Sequence, residues 1–433
     1  MDYQASTARL GLEKWRNLPR LLIGGGAVLA LLGFLFAREH FAYAWLLAFM
    51  FFLSLCLGAL FLVIVHHLFD AGWSVPIRRF CEHIASMLFP WMALLFIPIA
   101  LLSSTKVTEV LKIKPIYSWV LASPQADHAL AAKQPLFTST MFYVVAAFCF
   151  VVWWGLSNRL RYWSVTQDTT GEARATYRMR FYSAIGIFLY AVTLTLAAIM
   201  WVKALQYQWF STMYGVYYFA GSVWMALATA YVITMVLDRQ GVLTETLHEH
   251  QYYFLGSLLL AFTVFYAYIH FSQYFIIWNG NMPEETFWYV VREKGTWWYV
   301  GLVIIFGHFF IPFLALLRID VKHYFWFMVP LCAWAWLMHW VDLSFNIMPV
   351  LHPNGFPFGL LWVDVGCWAF MAGLLATVFL GEFGKYAPYP LKDPRLVEAM
   401  GLFHPVPTQI SGGELGQADE MRDAPPQFRG GAK

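Results

Sequence analysis

Ten residues in an otherwise apolar setting can bind or move protons: His66, His67, Asp70, Glu82, His270, Gln273, His308, His339, Asp342 and Asp364. Imidazole is the side chain that titrates nearest neutral pH, and a neighbouring carboxylate can share or take its proton. His270 and Gln273 are about one helical turn apart, as are His339 and Asp342, so each pair shares one helix face. An imidazole beside a carboxylate, as His339 and Asp342 are spaced to be, accepts protons near neutral pH, which is what oxidation of a quinol requires. The competing reading of these four is a set of interfacial polar residues satisfied by headgroups and loops. His66, His67 and Asp70, with Glu82 and His83 downstream, cluster where two apolar stretches join, as at the mouth of a proton path. They read equally as a solvated loop whose Arg78 and Arg79 meet anionic lipid. The run Glu245-Thr246-Leu247-His248-Glu249-His250 carries the same ambiguity.

The elements that must position these residues are long and apolar. Hydrophobic residues make up 60% of the 433-residue chain and charged residues 12%, against about 25% charged in a soluble domain. A bilayer core needs roughly 20 apolar residues per helical crossing. Ten such spans are read near 21–37, 41–65, 84–102, 141–157, 181–202, 209–237, 252–278, 297–317, 324–341 and 355–380. Membrane strands would alternate apolar and polar positions, whereas runs such as Phe41 to Val65 are apolar on every face. The expected fold is therefore all-α, a polytopic membrane domain over 21–382 between a short N-terminus (1–20) and a tail (383–433). On these boundaries His308 and Asp364 lie deepest, roughly two turns or more from either span end. An ionisable group at that depth is costly without a partner or water, so each is either part of a proton relay or a helix-to-helix hydrogen bond.

Basic residues favour the cytoplasmic side. The odd-numbered loops hold Arg38, Lys106, Lys112, Lys114, Lys133, Lys203, Arg292 and Lys294; the rest of the 28 lysines and arginines lie in the termini and even-numbered loops. Both termini are thus expected in the cytoplasm. The first span follows Lys14, Arg16 and Arg20 and lacks a clear small-residue cleavage site, which argues against a cleaved signal peptide. The five cysteines are too far apart for a CxxC or CxxCH motif. Any redox metal would then belong to a partner or be ligated by histidine. His270, His308 and His339 stand singly on three spans, which disfavours a two-haem cytochrome b pattern. The net charge of +3 carries no sign of nucleic-acid binding.

Two hydrophilic segments differ in kind. Residues 103–140 mix Tyr117, Trp119 and lysines with Pro115, Pro124 and Pro135, a composition that suits a folded or docked loop. The tail is rich in Pro and Gly and low in apolar content, so poor intrinsic order is expected unless another subunit orders it. Leu68-Phe69-Asp70-Ala71-Gly72 and Leu237-Asp238-Arg239-Gln240-Gly241 share a faint pattern, as two related bundles would. Gly24-Gly25-Gly26 inside a span points to close helix packing rather than a nucleotide.

The segment Ser272-Gln273-Tyr274-Phe275-Ile276-Ile277-Trp278-Asn279-Gly280-Asn281-Met282-Pro283-Glu284-Glu285-Thr286-Phe287-Trp288-Tyr289 resembles the signature of the F subunit of the bacterial alternative complex III, within the NrfD-like membrane protein family. The run from His67 to Arg79, the stretch from His128 to Lys133, and His339-Trp340-Val341-Asp342 followed by Pro349 are similar too. The resemblance spans essentially all the membrane segments and none of the tail. It implies a bacterial inner-membrane complex of a respiratory or photosynthetic chain that oxidises menaquinol or ubiquinol. Electrons would leave through iron-sulfur clusters and c-type haems of other subunits to a periplasmic acceptor or a haem-copper oxidase. It further implies two four-helix bundles, spans two to five and six to nine, with the first and last spans peripheral. A sister C subunit of the same architecture is where quinol oxidation beside a cluster is usually placed.

The resemblance makes this chain, with no cofactor of its own, a structural and proton-conducting partner. The leading expectation is a proton path through His270, His308, His339, Asp342 and Asp364, with His66, His67, Asp70 and Glu82 at its cytoplasmic mouth. A second is a quinol site in this chain bound by His270, Gln273, His339 and Asp342, where a His–carboxylate pair takes the protons and aromatic residues hold the ring. A third is a non-catalytic scaffold for peripheral redox subunits. A secondary transporter is remote, because inverted repeats and Gly- or Pro-interrupted midplane helices are not evident.

Overall fold

The computed structural model describes residues 17–400 except Ala126 and Glu245; 81% is helical, with no strand among the described residues. Eleven helical segments organise it. They are α1 Asn17–Phe36, α2 Arg38–Leu68, α3 Gly72–Leu102, α4 Ser139–Thr170, α5 Ala173–Gln206, α6 Tyr214–Arg239, α7 Glu249–Gly280, α8 Pro283–Arg292, α9 Trp297–Leu317, α10 Phe325–Ile347 and α11 Leu361–Phe383. Nine segments among the described residues are long and apolar enough to cross a membrane. α10 has the length but is made less apolar by His339, Asp342, Asn346 and its tryptophans. The outward faces carry exposed Phe148, Val151, Phe188 and Val192, as lipid-facing surfaces do. The chain is an all-α polytopic membrane protein.

α2 to α5 form one four-helix bundle and α6, α7, α9 and α10 a second, with α1 and α11 paired outside them against α2. Successive helices alternate direction, which gives a loop end, carrying residues 103–138, and a tail end, carrying residues 384–400. The two bundles meet where α2 crosses α6. There a Cβ on Gly58 would stand 2.0 Å from the Ser222 carbonyl oxygen, so only glycine lets the backbones approach this closely. α2 is apolar on every face because it is buried on every face, from His40 to His67. The α1–α11 contact uses the same device reciprocally. A Cβ on Gly26 would meet Phe370 N at 2.3 Å, and one on Gly366 would meet Leu29 Cβ at 2.6 Å. Of the glycine run in the first span only Gly26 makes this contact, since a Cβ on Gly24 or Gly25 would meet nothing within 4 Å. The two faintly similar stretches, Leu68–Gly72 and Leu237–Gly241, both end the helices that make the crossing.

The 103–138 segment is folded onto the loop end, as its composition predicts. Tyr117 and Trp119 are buried, Tyr117 donates to Trp201 O at 3.0 Å, and Asp127 caps the short helix His128–Ala131.

Three expectations are corrected. The third helix begins at Gly72 rather than near residue 84, with a break at Phe89, because the His66–Arg79 region is not a solvated loop. Arg78 and Arg79 are 2% and 0% exposed, held by Glu82 and by the tail rather than by lipid. The tenth span begins at Phe358 with a short 3-10 turn and becomes α-helical at Leu361, so Asp364 sits in the first turn of α11, near the loop end and not at depth. The tail is ordered through Met400 against this chain itself; residues 401–433 lie outside the described residues.

That tail segment is a strap across both bundles. Asp393, buried, pairs with Arg78 and accepts from Arg395 Nε at 2.9 Å; Arg395 also reaches Asp70 at 2.9 Å. Leu391 N donates to Asp168 Oδ1 at 2.9 Å, and Gln251 of α7 donates to Ala399 O at 2.7 Å. Burial alone would raise the Asp393 carboxyl, but Arg78 and Arg395 outweigh it and hold the group well below the usual carboxylate range. A depressed carboxyl stabilises fully above its unfolded value of about 3.9 and loses that contribution only as pH falls toward the folded value. The strap is therefore expected to resist proteolysis equally from about pH 8 to about pH 5. Asp393→Ala, which leaves two buried guanidiniums short of a partner, should cost about 3 to 5 kcal/mol. It should expose residues 384–400 to limited proteolysis. Gly58→Leu should abolish the folded, monodisperse species on size exclusion, whereas Gly58→Ala should accumulate at reduced yield.

Candidate functional site

The polar residues fall into separate groups rather than one chain. Along α2, His40, Ser54 and His66 anchor three of them, spaced about 21 and about 18 Å apart at the helical rise.

The largest group lies in the second bundle toward the loop end. Asp342 on α10 accepts from the hydroxyls of Tyr217 and Tyr266, the latter at 2.6 Å. Asn346, one turn on, donates to the Tyr217 hydroxyl at 3.0 Å and accepts from Tyr214 at 3.0 Å. The Tyr266 hydroxyl is also 3.3 Å from His270 Nδ1. A carboxyl is thereby linked through one phenol to an imidazole, a geometry that passes a proton by two short transfers. His308 stacks between Trp224 and Tyr266, with ring centroids at 4.0 and 3.8 Å. It sits in a π-helical stretch, Ile304–Phe310, a local rewinding frequent at functional sites. Neither ring nitrogen has a hydrogen-bond partner among the described residues.

His270 and Tyr266 open onto a cavity of about 510 Å³ between α7 and α9, lined also by Tyr274, Tyr289, Arg292 and Phe345. Its roof is the distinctive Ser272–Tyr289 stretch, which ends α7, turns at Asn281 in the left-handed region (φ 46), and starts α8 with Pro283. Gln273 faces this roof rather than His270, donating to the Tyr289 hydroxyl at 3.0 Å and accepting from Ser211 at 2.7 Å. Trp288 stacks on Trp209 at 4.6 Å, and the Arg292 guanidinium lies 3.4 Å over Trp288. Arg292 spends its donors on Phe345 O, Asn346 O, Trp288 O and Gln206 Oε1. Burial pulls it down to about 9, still protonated at pH 7.

His339 and Asp342 are not partners. One helical turn apart, they diverge enough that Asp342 meets the tyrosines of α6 and α7 while His339 Nε2 meets Ser54 Oγ of α2 at 2.8 Å. At the tail end, His66 joins Ser74 Oγ at 2.6 Å and Arg78 at 2.8 Å, and Glu82 joins Arg78 at 3.0 Å and Arg79 at 3.2 Å. His67 packs edge-on to His66 with no polar partner among the described residues. Asp70 pairs with Arg180 and Arg395 at the surface. His248 caps α7 together with Gln251, a structural role; Glu245 lies outside the described residues. Asp364 is 3.2 Å from His40 Nε2, far along α2 from the tail-end group.

Tyr217, Tyr266, Asn346, Ser54, His40 and His352 escaped the sequence reading. In a span, tyrosine reads as one more aromatic, and only its partner reveals a functional hydroxyl. The cysteines are all buried and free. No group of three or more His, Cys, Asp or Glu side chains suited to a metal ion occurs among the described residues.

Fold and site together define a polytopic membrane protein with a buried tyrosine–carboxyl–imidazole cluster beside an apolar cavity. No protein-family model matches the chain, and no curated protein sequence matches it.

Tyr217→Phe should cost about 1.5 to 3 kcal/mol, the range for a hydrogen bond to a charged or buried group. In an Asp342→Leu background the same change should be close to neutral, because the orphaned acceptor is gone. Thermal unfolding of the four variants in detergent measures the coupling; additive effects would show that the hydroxyl does not serve Asp342.

Proposed function

We propose that this protein is an integral subunit of a quinol:electron-acceptor oxidoreductase of the alternative complex III kind, and that it moves protons rather than catalysing alone. The observation that carries this reading is the Asp342–Tyr266–His270 connection, which links a buried carboxyl to the wall of a cavity inside a membrane bundle. The stretches that resemble the NrfD-like family supply the same features: Ser272–Tyr289 roofs the cavity, His339–Asp342 holds the carboxyl, and His67–Arg79 builds the tail-end ion network. Both termini lie in the cytoplasm of a bacterial inner membrane on this reading, in keeping with the basic residues at the tail end. The partners are the sister C subunit, iron-sulfur and cytochrome c subunits that hold the redox centres, and a haem-copper oxidase.

The cavity itself favours a second reading, a quinol site in this chain. At about 510 Å³ it lies within the range of small-molecule sites, and its apolar walls suit a quinol ring and isoprenoid tail. His270 and Tyr266 would take the hydroxyl protons toward Asp342, while the electrons leave to a centre in a partner.

Purified complex in liposomes, driven by a reduced quinol, separates the readings. Asp342→Asn should lower proton release by roughly a hundredfold, the scale of a lost proton-transfer group, while haem reduction continues. Loss of haem reduction as well, with Ala267→Trp filling the cavity having the same effect, supports the quinol site. Full proton release and full haem reduction in Asp342→Asn would overturn both.

A further inference from the structure

Three ionisable side chains line up at the loop end, outside both bundles' own polar clusters. His40, in the first turn of α2, is 3% exposed and Asp364, in the first turn of α11, is 2% exposed. His352, on the loop between α10 and α11, is half-buried. His352 Nε2 is hydrogen-bonded to His40 Nδ1 at 3.0 Å, and His40 Nε2 stands at an ion-pair distance of 3.2 Å from Asp364 Oδ1 without hydrogen-bond alignment. Among the described residues no lysine or arginine pairs with Asp364. Its ion-pair partner is His40, and the nearest other titratable group on its own helix is Cys367, one turn on. A buried carboxyl without a fixed cation is costly as a permanent ion, and becomes tolerable where it can exchange a proton.

The connection has a sense of direction. Each neutral imidazole has one donor and one acceptor nitrogen. With Asp364 ionised, the arrangement that fits both distances puts a proton on Nε2 of each ring, leaving His352 Nδ1 as the acceptor at the outer end. The residues on either side, Leu351 and Pro353, line a pocket of about 650 Å³ with Glu39, Lys114, Gln206 and Gln208. Burial and the neighbouring His40 hold the His352 imidazole below its ordinary value, so it hands a proton on rather than keeping it.

We infer that His352, His40 and Asp364 form a proton-transfer chain that loads a buried carboxyl from the loop-end surface, which the half-buried His352 reaches, and returns the proton by the same atoms. A proton arriving on His352 Nδ1 makes an imidazolium, whose Nε2 proton passes to His40 Nδ1. A small turn of the His40 ring aligns its Nε2 proton on Asp364 Oδ1, to which the proton then passes. Both rings end neutral as the other tautomer, one proton has moved from the loop-end surface to the carboxyl, and no electron is transferred. Asp364 is thus a proton store on the α1–α11 side of the molecule, distinct from the Tyr217–Tyr266–Asp342 cluster. This rests on the reading that the chain handles protons, but not on quinol.

Infrared difference spectroscopy of the full chain in nanodiscs tests it without a redox reaction. Stepping the pH should reveal the carbonyl stretch of a protonated carboxyl that Asp364→Asn removes and Asp364→Glu shifts; the second variant makes the assignment if the first does not accumulate. His352→Gln, at a half-buried loop position, should keep that band but slow its hydrogen–deuterium exchange roughly a hundredfold. His40→Gln should do the same. A band indifferent to both Asp364 variants, or unchanged exchange in both histidine variants, would overturn the inference. Asp342→Asn should leave the band in place, so failure here and failure of the quinol-driven assay are separate results.

Discussion

Everything in this molecule hangs from the crossing of α2 and α6 at Gly58. In lipid there is no hydrophobic drive between helices, so backbones that must stay together need close contact and internal hydrogen bonds. At Gly58 the approach is so close that a single methyl group would overlap the Ser222 carbonyl. One turn earlier on α2, Ser54 holds His339 of the second bundle, and Tyr218 of α6 donates to Met50 O at 2.7 Å. Because α2 is fixed there, its two ends are fixed as well. One presents His40 to Asp364 and the other presents His66 to Arg78.

Most of the polar groups obey a second constraint, that each must find a partner inside the protein, with the ring nitrogens of His67 and His308 as exceptions among the described residues. The solutions differ with position. At the tail end, where charge can reach the surface, arginines and carboxylates interlock, and the strap supplies Asp393 to complete the network. In the second bundle, neutral donors surround the carboxyl, with Tyr217, Tyr266 and Asn346 in place of a cation. A network of that kind keeps its proton mobile, whereas an arginine–carboxylate network holds its charges still. Arg292 is the exception within the second bundle: buried without a carboxylate partner, it rests on Trp288 and backbone carbonyls. There it fixes the ends of α8 and α10 together and shapes the cavity wall.

Separation into groups also bears on proton movement. The loop-end, central and tail-end groups are spaced along α2 by distances that side chains do not bridge, so a proton crossing the membrane domain needs water or a partner subunit between them. On the proposed reading each group is a local station, and the cavity beside His270 gives one of them space large enough for such a link.

Sequence alone determined the class. The spans were legible because hydrocarbon demands about 20 apolar residues per crossing, and His308 and Asp364 stood out because ionisable groups are rare there. Of the glycine run in α1, only Gly26 makes a close helix contact. What tertiary structure decided was partnership. Two residues one turn apart, His339 and Asp342, turned to different neighbours, since a helix face is wide enough to serve two contacts. Asp364 lies near the loop end because the span starts at Phe358, in a short 3-10 turn, rather than at 355, and composition does not mark that boundary. The tail looked unstructured because its order comes from Arg78, Asp168 and Gln251, residues distant in sequence. Tyrosines were invisible as functional groups for a physical reason: a phenol is apolar by area and polar by one atom, and only the fold says what that atom meets.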